Sequence, residues 1–150
     1  MEKYWPYIKE TLLDLLTIPS PSGYTYQANG YVSQELEAMG ISYVTSTKGA
    51  IIATVPGRDT ENQRLISAHI DTLGAMVKEI KSNGMLQLTN IGGLGWANVE
   101  GENCTVITSS GKEYTGTLLL NKASAHVHGD ETATSERKAS TMQVRLDEKV

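Results

Sequence analysis

The hydrophobic period changes once along this chain, at Gly40, and that change limits the folds open to it. Before it, apolar residues recur at three- and four-residue steps, and after it they alternate. Over residues 3–16, Trp5, Ile8, Leu12, Leu15 and Leu16 fall on one face of an amphipathic helix. Pro19-Ser20-Pro21-Ser22-Gly23 must stop it, because each proline lacks a backbone donor and pushes the residue before it toward extended geometry. That stretch reads as a loop of fixed shape. A second helix is predicted over 25–39, with Ala28, Val32, Leu36 and Met39 on one face and Gly40 as a C-terminal cap. Beyond it, residues 41–45, 50–55 and 65–70 read as strands, separated by Lys48-Gly49 and by the polar run 56–63. Helix, helix, strand, strand, strand is the opening of an α/β layer.

No helix is predicted after Ala75. Residues 76–80 and 85–89 flank Ser82-Asn83-Gly84, and Asn-Gly is a strong hairpin signal. A second hairpin has arms 105–108 and 114–120 around Ser109-Ser110-Gly111-Lys112, and a last strand covers Met142–Leu146. This half reads as all-β, a small barrel or sandwich. Seven of the nine aromatics lie within the first 43 residues and Phe is absent, so the core of the second half must be mostly aliphatic. The polar, aperiodic run 124–140 is expected to be a mobile loop. Ile91-Gly92-Gly93-Leu94-Gly95-Trp96 matches no phosphate-binding fingerprint, and no helix follows it.

Composition narrows the function classes. Thirteen Lys and Arg against 17 Asp and Glu leave a charge of −4, which argues against nucleic-acid and anionic-membrane partners. Stretches such as Thr117-Leu118-Leu119-Leu120 fall far short of the roughly 20 apolar residues that span a bilayer. Met1-Glu2-Lys3-Tyr4-Trp5-Pro6 is no signal peptide, so a soluble cytoplasmic protein is expected. The single cysteine, Cys104, cannot form an internal disulfide; it reads as a strand residue with nothing nearby to activate it.

The chemistry centres on His69-Ile70-Asp71. Residues two apart on a strand point the same way, so His69 and Asp71 can meet. A His–carboxylate pair suits a metal site, one ring nitrogen binding the cation while the acid fixes the other. A hydrogen-bonded histidine at a strand end gives the same spacing and is the commoner outcome. His126 and His128, with Asp130 and Glu131 after them, could take up zinc adventitiously, but no Cys or further His completes a ligand set. No Gly-x-Ser-x-Gly elbow supports a serine nucleophile.

Leu65-Ile66-Ser67-Ala68-His69-Ile70-Asp71-Thr72-Leu73-Gly74-Ala75-Met76-Val77, then Gly92-Gly93-Leu94-Gly95-Trp96 and Asn103-Cys104-Thr105-Val106-Ile107, resembles the M42 family of metallo-aminopeptidases. Ile18-Pro19-Ser20-Pro21-Ser22-Gly23 is similar to that family's loop between its first two helices, and Gly111-Lys112-Glu113-Tyr114-Thr115-Gly116-Thr117 to its inserted β domain. The resemblance runs along essentially the whole chain. It implies an α/β fold class: the incomplete N-terminal part of a metallopeptidase α/β domain, residues 1–75, followed by an inserted all-β, barrel-like, PDZ-resembling domain, residues 76–150, itself incomplete at its C-terminus.

The resemblance further implies that His69 is a ligand of one of two divalent metals, zinc or cobalt, and that Asp71 is the catalytic acid supporting it. The implied reaction removes N-terminal residues from peptide substrates, within a dimer-based homo-oligomer extending to a dodecamer in the complete protein. Thr72 stands where many members carry Glu and matches a sub-branch reading His-x-Asp-Thr. The sequence stops at Asp147-Glu148-Lys149-Val150, before the family's remaining ligands, so the chain by itself is expected to be inactive and to hold no metal tightly. Neither Asp147 nor Glu148 fills that gap. The alternative is a non-catalytic β-domain module for binding or oligomerisation, with His69 structural. The endoglucanase or cellulase label carried by some relatives finds no flanking carboxylate pair here.

Overall fold

Pro6 sits in the first turn of α1 (Trp5–Thr17), where a missing N–H leaves no bond unmade, and the helix stops at Ile18, whose backbone is already extended ahead of Pro19. α2 (Tyr26–Ala38) follows and gives way at Gly40, which takes a φ of +70°. The structure, a computed structural model, describes residues 2–59 and 61–148, and its chain forms two compact units, Met1–Leu73 and Gly74–Val150.

In the first unit α1 and α2 are joined by a reciprocal pair of bonds. Tyr7 donates to Glu35 at 2.6 Å, and Tyr31 donates to Asp14 at 3.0 Å. The apolar face predicted for α1 exists but is not covered: Trp5, Ile8, Leu12 and Leu16 are all exposed, and no residue of the helix is buried. Periodicity decides which face is apolar, whereas burial needs a second surface laid over it. β1 (Tyr43–Thr45) and β2 (Ile51–Ala53) pair antiparallel, and Asn29 of α2 holds their connecting turn by donating to the Gly49 carbonyl at 2.9 Å.

The strand expected over 65–70 does not form. These residues enter no ladder, and Leu65 and Ile66 are 90% and 92% exposed. Apolar composition favours extended backbone, but a strand also needs hydrogen-bonded pairing, and residues 65–70 pair with neither β1 nor β2. The segment is first tied down at Thr72, which forms an isolated parallel bridge with Pro21.

The second unit is a curled antiparallel half-barrel of five strands: β3 (Gly74–Ile80), β4 (Leu86–Ile91), β5 (Asn103–Ile107), β6 (Glu113–Leu120) and β7 (Met142–Leu146), ordered β3-β4-β7-β6-β5. Alternation fills its core from one face. Leu86 and Leu88, Leu118 and Leu120, and Met142 and Val144 converge there with Trp96, whose indole donates to Asn90 at 2.9 Å. The core is aliphatic apart from Met142 and that one tryptophan.

One loop form closes the three tight hairpins among the described residues. At Ser46–Ala50, Lys81–Met85 and Thr108–Lys112 the fourth residue donates back to the first carbonyl, and the first residue donates to the fifth. The fourth is glycine each time, with φ of +86°, +79° and +80° at Gly49, Gly84 and Gly111. This is the three-residue loop in which a type I turn is followed by a left-handed residue.

The run 124–140, expected to be a mobile loop without helix, instead carries α3 (Ala125–His128) and α4 (Glu131–Thr134). Local bonds order it where hydrophobic period does not. Lys122 pairs with Glu131, and Thr132 donates to the Lys122 carbonyl at 2.9 Å. Arg137 meets half-buried Glu100 through Nε at 2.7 Å and Nη2 at 3.3 Å, while its Nη1 donates to the Ser135 carbonyl. A single Trp96–Asn98 helical turn adds to these exceptions in the β half.

Two substitutions test this packing. Met142 is fully buried, so Met142→Ala should lower the stability of the second unit by about 2–5 kcal/mol, read from urea unfolding followed by Trp96 fluorescence. A Cβ at Gly116 would lie 2.7 Å from the Arg145 carbonyl oxygen and 2.8 Å from Val144, whereas one at Gly93 would meet nothing within 4 Å. Gly116→Ala should therefore cost about 1–3 kcal/mol in the same experiment, and Gly93→Ala should stay within about 0.5 kcal/mol of the parent.

Candidate functional site

The carboxylate of Asp71 is gripped from two sides. His69 Nδ1 lies 2.9 Å from Oδ1, and the Ser22 hydroxyl donates to Oδ2 at 2.7 Å. Those two bonds, that from Ser22 first, hold the Asp71 carboxyl below its ordinary value of 3.8, so it is ionised at neutral pH. An ionised carboxylate only accepts. The proton between the residues therefore belongs to Nδ1 of His69, and in the neutral ring it is Nε2 that carries the lone pair. The histidine side chain is 86% exposed and that of Asp71 42%, so the free nitrogen is open to solution.

Rigidity comes from the loop rather than from a sheet. Pro19 and Pro21 fix two backbone angles, and Tyr24 closes a turn by donating to the Pro21 carbonyl at 2.7 Å. Ser20 is completely buried, and its backbone is joined to Thr72 twice. The Thr72 amide donates to the Ser20 carbonyl at 2.8 Å, and the Ser20 amide donates to Thr72 Oγ1 at 3.1 Å. Thr72 thus does structural work with the oxygen it presents. Beside the dyad lies a concavity of about 490 Å³, walled by α2 at Thr25 and Asn29, by the β1–β2 turn at Lys48, and by Ile66 and Ala68.

His69 and Asp71, singled out by spacing, are in hydrogen-bond contact. His126 and His128 lie on the four-residue α3, and among the described residues no three His, Cys, Asp or Glu side chains gather as a metal site would require. Cys104 lies in β5, where burial, and to a lesser extent Asp147, push its thiol upward, away from nucleophile chemistry. Sequence reasoning missed Ser22. The signal was there in the two prolines, which give the hydroxyl a fixed place, but its target is 49 residues away.

The donor set suits one corner of a divalent metal site. His69 is backed by a carboxylate on Nδ1, the usual support for a histidine that binds a metal through its other ring nitrogen. A catalytic zinc takes about three protein ligands, so the described residues fit the cation in part.

Comparison with known proteins bears on the same residues. The sequence pattern of M42 glutamyl aminopeptidase matches residues 49–150. YhfE of Bacillus subtilis (strain 168), assigned as an aminopeptidase, is 47% identical over 141 residues, covering 94% of this chain and 40% of the relative. Among solved structures, a TET aminopeptidase from the marine sediment archaeon Thaumarchaeota archaeon SCGC AB-539-E09 superposes with a TM-score of 0.79 at 22% identity, over 93% of this chain and 38% of that one. PhTET1-12s, solved with a dodecamer in the asymmetric unit, gives 0.75 at 21% identity, over 93% and 39%. The structural likenesses show the fold, and the chain spans about two fifths of the length of these relatives. With that pattern covering more than half of its residues, His69 and Asp71 among them, the chain belongs to the M42 glutamyl aminopeptidase family.

Proposed function

We propose that these residues form part of a divalent-metal-dependent aminopeptidase that removes N-terminal residues from peptides, with His69 a metal ligand and Asp71 the acid that supports it. The observation that carries this reading is the His69–Asp71 bond, 2.9 Å long, inside the stretch that matches the family. On this reading Met1–Leu73 belongs to the peptidase α/β domain and Gly74–Val150 to the β domain inserted into it. A bound divalent metal supplies Lewis acidity toward the scissile carbonyl and lowers the pKa of a coordinated water. The chain's own residues do the positioning. Asp71 accepts the hydrogen bond from Nδ1–H of His69, which fixes the tautomer, turns the Nε2 lone pair outward and raises its basicity as a ligand.

Other features of the proposal rest on the family and on relatives. A pair of metals, zinc or cobalt, fills the complete site, and His69 contributes to one of them. The dodecamer in the asymmetric unit of the PhTET1-12s structure supports a homo-oligomer, and the family resemblance supports one based on dimers. The Bacillus relative's assignment supports a peptide substrate. No helix among the described residues is long and apolar enough to cross a membrane, and a cytoplasmic site of action is part of the proposal. The isolated 150 residues, with one ligand in place, should be inactive.

Hydrolysis of aminoacyl-p-nitroanilides by the product of the complete gene tests the activity. A strong chelator should abolish turnover and added zinc or cobalt should restore it; turnover that survives full metal removal overturns the reading. His69→Ala should lower kcat/KM by more than about 100-fold, beyond the roughly 10–100-fold expected for Asp71→Asn as a supporting group. Unchanged metal content and activity in His69→Ala would remove His69 from the ligand set. Light scattering should give a mass several times that of one subunit, and a single-subunit mass would sink the oligomer.

A further inference from the structure

We propose that Ser22 is a positioning residue for the His69–Asp71 pair: its hydroxyl sets the carboxylate of Asp71, and through it the tautomer and direction of His69. The inference rests on the reading of His69 as a metal ligand, but its physical core concerns the metal-free protein. Residues 65–70 enter no ladder, so sheet pairing does not orient the end of that segment. The Asp71 carboxylate is the one hydrogen-bond partner of the His69 ring among the described residues. A carboxylate bonded through one oxygen alone can still turn about its side-chain torsions, since that class of torsion is broad. The second bond, 2.7 Å from the Ser22 hydroxyl to Oδ2, removes this freedom.

The direction of control follows from which partner is stiffer. Ser22 lies between Pro21 and Gly23, on a loop whose neighbouring Ser20 is wholly buried and joined to Thr72 through both its amide and its carbonyl. The turn that closes on Tyr24 holds the other side. The hydroxyl is therefore delivered from a fixed frame to a side chain that is 42% exposed, and onward to a ring that is 86% exposed. Orientation passes from loop to acid to imidazole. Outer groups of this kind typically change metal affinity about 10–100-fold when removed.

Threonine and valine have nearly the same shape and differ by a hydroxyl, so Ser22→Thr against Ser22→Val isolates the bond from the bulk, and Ser22→Ala adds a smaller side chain. Long-range proton–nitrogen NMR of the metal-free complete protein, at a pH where imidazole is neutral, reads the tautomer of His69. The parent and Ser22→Thr should show a single Nδ1–H form, and Ser22→Val and Ser22→Ala a mixture that includes Nε2–H. Zinc affinity, measured by competition with a chromophoric chelator, should fall about tenfold in Val and Ala and return in Thr. An unchanged tautomer in Val and Ala, or a Thr variant that behaves like Val, overturns the proposal. His69→Ala separates the two readings. If it leaves zinc affinity intact, the ligand assignment fails, while the tautomer still decides whether Ser22 positions His69.

Discussion

The join between Ser20 and Thr72 is the contact on which the candidate site depends. Apolar residues 65–70 arrive without a sheet to hold them, and two bonds at 2.8 and 3.1 Å fix the chain just beyond Asp71 instead. Burial makes those bonds strong in effect, because breaking one would leave a polar backbone group of a fully enclosed residue without a partner. Two prolines then make the frame stiff at little entropic cost, since they restrict the unfolded chain as well. The dyad inherits its geometry from this corner. Its own residues are exposed and could not define their positions by packing.

Much of this was legible in the residues, and the divisions are instructive. The change of period at Gly40 separates helices from strands, and the strict alternation of Leu86 with Leu88, Leu118 with Leu120 and Met142 with Val144 names the inward face of the second unit. His-x-Asp spacing brought the two side chains together. The strand over 65–70 was misread because composition reports a preference for extended backbone, while a ladder depends on an edge elsewhere in space. The structured run 124–140 was misread for the opposite reason. Arg137, Glu100, Lys122 and Glu131 order it through specific polar contacts, which leave no periodic trace. For Ser22 the two prolines before it mark a fixed place but not its target, which lies 49 residues on.

The two units also differ in how they are held. The second has a true interior, in which Leu120, Met142 and Val144 are almost wholly enclosed. Each such side chain contributes about 1.5–3 kcal/mol. The first, among the described residues, buries Ala28 and Ser20 and relies on directed bonds: two phenols on two carboxylates, an asparagine on a turn, a serine on an aspartate. Apolar surface on α1 and at Leu65 and Ile66 meets water.

The shared hairpin loop sets which connections of the half-barrel can change length. One residue added to or taken from Lys81–Met85 or Thr108–Lys112 would slip the register and turn every inward leucine of an arm toward water. The connection from β6 to β7 is of another kind. It leaves and returns at neighbouring positions, with Asn121 donating to the Thr141 carbonyl at 2.7 Å, so the register of the strands is settled before the excursion begins. Doubling a flexible connection costs only about 0.6 kcal/mol in closure entropy. The stretch between Asn121 and Thr141 can thus change in length without moving a strand, while the tight turns are fixed in size.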